Sequence, residues 1–591
     1  MDISDGNITW LLERLGREGV RLAFTTSESG WISGGVNTIG GVKVVSAATG
    51  AAAASMADAA ARVTRETAAL VTPCRGTAYS MATGIANAWA DKSPVALITL
   101  LDTPETELFR PITRWSAAAH HPEDVSLLIR EALTESTRGT RGPTCLNIHP
   151  RALLKAGSVK TPERKEPRKA RDARPDAPDP AIIDSVVELL ARAERPLVIA
   201  GGGVAASGAG KELVRLIEAL RFPATVTAGG AAALPFSHPL FIAGPTYFGG
   251  EAFLYAARRA DVVLAAGTCF SGLEGFGSPP LWSRSAKIIQ VDVDPRRIDL
   301  NRVSEIAVVG DAKAVFAEIR KKLLRKTGMP DVSPWIKTLK RKDIQWRKRI
   351  EKEFRSGIAP MHPGLLAKRT REVLEKNALI VYDGGNAAMW GWMFCPPATA
   401  ESSIFSAGLW NLGVGIPMAI GAKLAQPARP VCGIFGDASF MYNVQELATA
   451  KRLGIPFVAV VFNDSAWNMI RMAQTYVFGG RYTGCDLGNV DYARIARSLG
   501  CYGRRIESPD EIPRAFREAR ESGLPAVLDA PVHPNVSPDP LTTFFLIEFE
   551  GVLPDFAKSL SRMIRNRNLK LDPFFRNRAL YIMNSLRIAL D

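Results

Sequence analysis

The chain lacks the sequence features of membrane-spanning, secreted and zinc-binding proteins. Its 591 residues contain seven cysteines without close pairs, and residues 1–7 have neither the basic start nor the apolar core of a signal peptide. No apolar run reaches the roughly 18 residues that a membrane-spanning helix needs. Scattered free cysteines are typical of reducing compartments. We therefore expect a cytoplasmic protein without structural disulfides or a zinc site.

The charge of the chain is unbalanced. Lys and Arg number 74 against 59 Asp and Glu, and the resulting net charge of +15 favours small anionic ligands. The basic run at residues 160–169 has no aromatic side chains between its charges, so nucleic acid is not an expected partner. Its prolines and mixed charges instead predict an exposed linker over residues 156–182.

Two acidic residues follow two predicted buried strands. Residues 430–435 and 456–462 are short apolar runs typical of parallel strands, with a helical pattern over 444–453 between them. Asp437 follows the first run and Asp464 follows the second. The carboxyl ends of parallel strands are where α/β proteins bind ligands. Because Mg²⁺ combines one or two carboxylates with phosphate oxygens, the pattern predicts a site for a metal-bound diphosphate.

The segments Gly436-Asp437-Ala438-Ser439-Phe440 and Asn463-Asp464-Ser465-Ala466 resemble the thiamin diphosphate signature of the acetolactate synthase, pyruvate oxidase and pyruvate decarboxylase superfamily. That signature begins Gly-Asp-Gly and closes with Asn-Asn. The resemblance implies that Asp437 and Asp464 are side-chain ligands of Mg²⁺ and that Ala466 is a carbonyl ligand. The chain departs from the signature at its third residue and at its second Asn, where a carboxylate keeps the oxygen ligand and adds a charge.

The resemblance covers most of the chain and implies an α/β protein with three doubly wound parallel-sheet domains. The predicted divisions are 1–155 for a pyrimidine-binding domain, 156–182 for a linker, 183–328 for a Rossmann-like middle domain, 329–359 for a linker helix, 360–540 for a diphosphate-binding domain and 541–591 for a C-terminal tail. Three interpretations of the tail stay open: packing against the body or a second subunit, a membrane-surface helix, which is not favoured, and a partner-binding segment.

Further cofactor contacts are implied by the resemblance. A Gly pair after the predicted strand 380–383 would bring backbone N–H groups to phosphate oxygens. Leu412 aligns with the apolar residue that bends the cofactor in relatives, and an ordinary core leucine is the alternative. The cofactor-binding residues so predicted are Gly385, Asn386, Leu412, Gly436, Asp437, Ala438, Ser439, Asp464 and Ala466.

The position of the usual catalytic acid is changed. Relatives carry a Glu at the start of an Ala-rich helix, where it protonates the aminopyrimidine ring, and Gly50 takes that position here. Glyoxylate carboligase works with an aliphatic residue there, so the change does not exclude catalysis. Loss of a general acid typically costs about 10²–10⁴-fold unless it is replaced. An ordered water and Glu28 are candidate replacements, and an exposed loop acid is the alternative interpretation of Glu28.

Three other features bear on the site. Cys74 and Arg75 stand where relatives show Gly-Pro-Gly. Arg75 would hold a substrate carboxylate or phosphate, and Cys74 would be a reactive thiolate, unless both merely fill space. His120 and His121 precede a predicted helix and are interpreted as a solvated pair. Residues 268–271 lack the Arg that contacts FAD in some relatives, so FAD is not expected and the middle domain is interpreted as structural.

The resemblance implies an enzyme dependent on thiamin diphosphate and Mg²⁺. Its reaction would form or cleave a carbon–carbon bond next to a carbonyl, as in 2-oxo acid decarboxylation or carboligation, with a 2-oxo acid or acyl-CoA as substrate. One alternative is a catalytically impaired member that serves as a binding or regulatory subunit. Another is an acyl-CoA lyase or diketone hydrolase of the same superfamily. Because family sites form between two chains, we expect a homodimer or homotetramer.

Overall fold

A computed structural model describes residues 5–27, 37–159 and 178–538, except for positions 280, 327, 356, 479 and 537. Three β-sheets of seven, five and six strands organise the chain. Helices cover the sheets, and every strand pairing among the described residues is parallel except one at the edge of the first sheet. The predicted fold class of three parallel-sheet α/β domains is therefore confirmed. The domain boundaries themselves remain predictions.

The first sheet has the strand order β2-β3-β1-β4-β5-β7-β6. Its one antiparallel pair joins β2 and β3, which are connected by a tight Gly-Gly turn. The elements are α1 (Asp5–Arg17), β1 (Leu22–Thr26), β2 (Asn37–Ile39), β3 (Val42–Ala47), α2 (Gly50–Thr64), β4 (Ala68–Thr72), α3 (Arg75–Ala90), β5 (Val95–Thr99), α4 (Thr106–Phe109), β6 (Trp115–Ala119), α5 (Pro122–Thr137), β7 (Thr144–Ile148) and α6 (Pro150–Ala156).

The middle sheet has the order β12-β11-β10-β8-β9, so the strand order reverses beside β8. The elements are α7 (Pro180–Leu190), β8 (Leu197–Ala200), α8 (Gly202–Ser207), α9 (Gly210–Leu220), β9 (Ala224–Val226), α10 (Gly250–Arg259), β10 (Val262–Ala266), β11 (Lys287–Asp292), β12 (Ile306–Val309) and α11 (Ala312–Leu323). The long helix α12 (Ser333–Glu353) then leads to the third sheet.

The third sheet has the order β14-β13-β15-β16-β18-β17 and carries the signature segments. Its strands are almost wholly buried, as expected of a parallel sheet covered on both faces. The elements are α13 (Pro363–Val373), β13 (Leu379–Asp383), α14 (Asn386–Phe394), β14 (Ser403–Ile404), α15 (Gly415–Ala425), β15 (Val431–Gly436), α16 (Asp437–Met441), α17 (Glu446–Arg452), β16 (Val458–Asn463), α18 (Asn468–Phe478), α19 (Tyr492–Ser498), β17 (Tyr502–Arg505), α20 (Ile512–Glu521) and β18 (Ala526–Pro531).

The first and third domains share a hydrophobic core. One buried cluster combines residues of α2 with residues of α15, and these two helices pack against each other. Polar contacts reinforce the junction: both carboxylate oxygens of Glu446 accept the Ala48 backbone N–H, at 3.1 and 3.3 Å, and Arg452 donates to the Ser46 carbonyl oxygen at 2.7 Å. The loop before α2 is therefore held by the third domain of the same chain.

Some sequence predictions fall outside the described residues. Glu28, the tail at 541–591 and most of the predicted linker belong to this group. No helix in the described parts of the chain combines the length and hydropathy needed to cross a lipid bilayer.

Candidate functional site

The two signature aspartates lie at the ends of neighbouring strands. Gly436 of β15 pairs with Phe462 of β16, which brings the two strand ends to the same edge of the sheet. Asp437 accepts hydrogen bonds from the backbone N–H groups of Ala438 and Ser465, both at 2.7 Å. The second of these bonds crosses from one strand end to the other. The strand ends that carry the two aspartates are therefore adjacent, and their joint binding of one metal ion stays a prediction.

The carboxylate of Asp464 is also held in place. Its Oδ1 accepts the Ala466 backbone N–H at 3.3 Å, and its Oδ2 accepts the Asn468 side-chain amide at 2.6 Å. Burial raises the pKa of Asp437 and the pKa of Asp464, and the neighbouring negative charge of Asp437 raises the latter further. A divalent cation bound here would favour the charged forms of both acids, which burial disfavours.

A sharp glycine turn lies beside these aspartates. Gly384 follows β13 with φ +96°, and a Cβ there would lie 3.1 Å from the Gly436 backbone nitrogen, so the turns after β13 and β15 can touch only without a side chain. Gly385 caps α14, which starts at Asn386. The Asn386 side-chain oxygen is buried and has no hydrogen-bond partner in the described structure. An unpaired buried acceptor beside a helix N-terminus fits a site completed by a ligand.

The turn that carries Leu412 is fixed by residues that the sequence analysis did not identify. Asp383 accepts the backbone N–H groups of Gly413 at 3.2 Å and Gly415 at 2.8 Å, and Asn443 donates to the Gly413 carbonyl oxygen at 2.7 Å. Leu412 itself is half-buried. Asp383 is the last residue of β13 and directly precedes the Gly pair. This position at a strand end is the sequence feature that could have identified it as a site residue.

Gly50 begins α2 as predicted, and its surroundings leave no room for a side chain. A Cβ there would lie 2.1 Å from the Ser80 hydroxyl oxygen and 2.6 Å from the Thr77 carbonyl oxygen. Both contacts come from α3, which packs tightly on α2. Gly50 therefore does not leave an open pocket where relatives have the Glu side chain, because α3 fills that space.

The neighbouring candidates lie nearer the surface. Arg75 starts α3 and pairs with Glu105 at 2.8 Å and Asp102 at 3.5 Å, which occupies the guanidinium that was predicted to hold a substrate anion. Cys74 is half-buried at the helix N-cap. His120 and His121 are exposed before α5, as the prediction of a solvated pair requires. No hydrogen bond or ion pair described within one chain joins Gly50 or Arg75 to the two aspartates.

A cavity of about 620 Å³ lies away from the aspartate pair, between the middle domain and its neighbours. Its wall includes the glycine turns after β8 and β10, Asp292 and Cys269. Arg297 reaches Cys269 with a 3.0 Å contact from its Nη2 to the sulfur. A guanidinium is therefore present beside residues 268–271 although the sequence there lacks one. The expectation that FAD is absent stays a prediction.

Glu274 in this cavity wall gives a pH-dependent prediction for stability. Burial raises its pKa to about 7, and its carboxylate accepts hydrogen bonds from the backbone and hydroxyl of Ser271. The folded state holds this proton more tightly than the unfolded chain does. Protonated Glu274 therefore adds its full contribution to the free energy of unfolding below pH 4.5, and this contribution is lost as the pH rises through 7. We expect the loss to total about 3 kcal/mol of unfolding free energy.

The matched variant is Glu274→Gln, which keeps an acceptor for Ser271 and cannot ionise. Urea unfolding at pH 5 to 8 should show the wild type losing stability relative to this variant as pH rises. All other titrating groups are common to both proteins and cancel in the difference. Parallel pH profiles would contradict the prediction.

Sequence comparisons agree with this architecture. Three family models match the chain: the N-terminal TPP binding domain of thiamine pyrophosphate enzymes over residues 8–108, their central domain over 183–319 and their C-terminal TPP binding domain over 383–530. The third match includes both aspartates and the Gly384 turn. The chain belongs to the thiamine pyrophosphate enzyme family.

The relatives define a narrower group within that family. The chain is 33% identical to a probable acetolactate synthase large subunit of Methanocaldococcus jannaschii over 513 residues, which is 82% of this chain and 84% of that protein. Identity is 28% to the acetolactate synthase large subunit of Parasynechococcus marenigrum, over 80% and 78% of the two chains. The chain is also 24% identical to the acetolactate synthase isozyme 3 large subunit of Escherichia coli, over 82% of this chain and 87% of that protein. The chain is thus acetolactate synthase-like.

Proposed function

We propose that the protein is an enzyme that uses thiamin diphosphate and Mg²⁺ to form or cleave a carbon–carbon bond next to a carbonyl, with a 2-oxo acid as donor. The observation that carries the proposal is the convergence of Asp437 and Asp464 at adjoining strand ends, joined by the bond from Ser465. Paired carboxylates suit a hard divalent cation, which completes its shell with phosphate oxygens and water. The predicted site residues stay part of this proposal.

The residues present fit the cofactor. Asp437, Asp464 and the Ala466 carbonyl would hold the metal ion. The N-terminus of α14 with the buried unpaired oxygen of Asn386 would face the diphosphate. When bound, thiamin diphosphate supplies the nucleophilic carbon and the electron sink for the reaction.

The chain's own residues would bind and orient the cofactor rather than carry out the bond-making steps. Asp383 fixes the backbone of the turn that carries Leu412 relative to the end of β13. Gly436, Ala438 and Ser439 form the start of α16, where the Ser439 hydroxyl donates to the Gly436 carbonyl oxygen at 3.0 Å. This bond stabilises the turn that carries Asp437.

The proposal also covers the oligomeric state of the protein and the type of reaction that it catalyses. The resemblance to the family implies a site shared between two copies, so a homodimer or homotetramer is expected. Carboligation of a 2-oxo acid is favoured because the related proteins are named acetolactate synthases. An acyl-CoA lyase or diketone hydrolase differs only in the substrate.

The test is to incubate the protein with thiamin diphosphate, Mg²⁺ and pyruvate and to measure carbon dioxide release and acetolactate by mass spectrometry. We expect both products, and a panel of other 2-oxo acids, acyl-CoA thioesters and cyclic diketones then ranks the donors. Analytical ultracentrifugation of the same sample reports the assembly. Failure of every donor, with the cofactor shown to be bound, would reject the proposed activity.

A second candidate function is a noncatalytic binding or regulatory subunit. The packed environment of Gly50 favours it, because the usual acid is absent and Ser80 occupies the adjoining space. Hydrogen–deuterium exchange at the thiazolium carbon separates the two functions. A catalyst exchanges this hydrogen faster than free cofactor, whereas a binding subunit binds the cofactor without acceleration.

A further inference from the structure

Asn468 stands directly behind the second signature aspartate. It is the first residue of α18 and is buried. Its side-chain nitrogen donates to Asp464 Oδ2 at 2.6 Å and to the Pro534 carbonyl oxygen at 2.9 Å. Both amide hydrogens are therefore used. One bond reaches Asp464, and the other anchors the amide to a segment outside the loop at 464–467.

The amide oxygen of Asn468 has no such partner. Asn468 Oδ1 is buried and accepts no hydrogen bond within the described residues. Exchanging the amide nitrogen and oxygen would place the oxygen against the Asp464 carboxylate and the Pro534 carbonyl, so the two donor bonds fix the assignment. A buried acceptor left unpaired costs about 1–3 kcal/mol, which calls for a donor in the functional state.

Asp464 needs outside support to act as a ligand. Asp464 directly follows β16, and its carboxylate is oriented by hydrogen bonds from the turn and helix that come after it. Its bond to the Ala466 backbone is long at 3.3 Å, whereas its bond to Asn468 is 2.6 Å. Of these two hydrogen bonds to the Asp464 carboxylate, the shorter one from Asn468 is thus the stronger.

We propose that Asn468 is a positioning residue of the metal site: its nitrogen holds Asp464 in the ligating orientation, and its oxygen accepts a hydrogen bond from a metal-bound water. The inference rests on the proposed function, because it presumes that the aspartate pair binds a cation. Mg²⁺ and Mn²⁺ retain water ligands, which supply the missing donor. Partners that orient a metal ligand typically change metal affinity by about 10–100-fold.

The experiment is a double-variant cycle read by Mn²⁺ electron paramagnetic resonance, which counts free Mn²⁺ in the presence of thiamin diphosphate and needs no turnover. We expect Asn468→Ala to weaken Mn²⁺ binding about 10–100-fold when Asp464 is present. In an Asp464→Asn background the same change should cost less than about threefold, because the carboxylate through which Asn468 acts is gone. Gln474→Ala, on the same helix and bonded to Thr483, is the matched control and should bind normally.

A further variant separates orientation from general damage. Asn468→Asp keeps two acceptors but removes the donor and sets a negative charge against Asp464, so its affinity should fall below that of Asn468→Ala. Equal losses in both backgrounds, or normal binding by Asn468→Ala, would overturn the role of Asn468 while leaving the proposed function standing. A wild type that binds no Mn²⁺ with the cofactor would overturn both.

Discussion

Replacement of Asp437 by Asn should reduce the Mg²⁺-dependent affinity for thiamin diphosphate more than about 100-fold, since loss of a partner that only supports a ligand already costs about 10–100-fold. The change removes a charged oxygen ligand but leaves the residue's size and one acceptor for the Ala438 and Ser465 N–H groups. Titration calorimetry of the metal-free protein measures the effect.

The wild type should also show a steeper pH dependence of metal affinity than this variant, in which Asp464 is the remaining buried acid of the pair. Burial raises the pKa of Asp437 to about 6, and a metal ion must displace the proton. Metal affinity should therefore fall as the pH drops through about 6, because protons compete with the metal ion for the carboxylates. Asp510→Asn, a surface change in a distant turn, is the control and should behave like wild type. Wild-type affinity in Asp437→Asn would refute the metal assignment.

Restoring the family's acid by Gly50→Glu should not create a better enzyme but should destabilise the fold by at least about 3 kcal/mol. The new Cβ would meet the Ser80 hydroxyl and, at 2.6 Å, the Thr77 carbonyl oxygen, which belongs to the α3 backbone and cannot rotate away. Overpacking alone typically costs about 1–3 kcal/mol, and a buried carboxylate without a partner adds to it. Urea unfolding measures the loss.

Two variants make this test specific. Ala51→Glu puts the same acid one residue later in the first turn of α2, where a negative charge is tolerated, and should be far less damaging. Gly50→Ala combined with Ser80→Ala removes the clash with the Ser80 hydroxyl and keeps the clash with the Thr77 carbonyl oxygen, so its stability should lie between wild type and Gly50→Ala. A stable Gly50→Glu protein with faster exchange at the thiazolium carbon would show that the loop accepts the acid.

Local sequence patterns predicted the strand ends of the site well. Asp437 and Asp464 follow apolar runs of the length of a buried strand, and parallel pairing then brings them to one sheet edge. The helix predicted over 444–453 begins two residues late, at Glu446, because the preceding residues form turns in which each N–H bonds to the carbonyl three residues back. Element type was predictable from periodicity, whereas this boundary was not.

Contacts between distant segments account for what the sequence did not predict. Arg297 supplies a guanidinium to Cys269 from the turn after β11, Glu446 bonds to a loop of another domain, and Asn468 bonds to both Asp464 and Pro534. Nothing in the spacing of these residues distinguishes them from ordinary polar surface positions. The packed surroundings of Gly50 were equally invisible, because they depend on how α3 approaches α2.

The bond between Glu446 and the Ala48 backbone has a consequence for motion. Glu446 is the first residue of α17, which follows the segment that carries Asp437, and Ala48 lies two residues before Gly50. These bonds tie the sheet edge that carries Asp437 to the start of α2 within one chain. If two copies share their sites, each chain contributes one of these joined ends to each site, and we expect cation binding at one site to alter the other through these bonds.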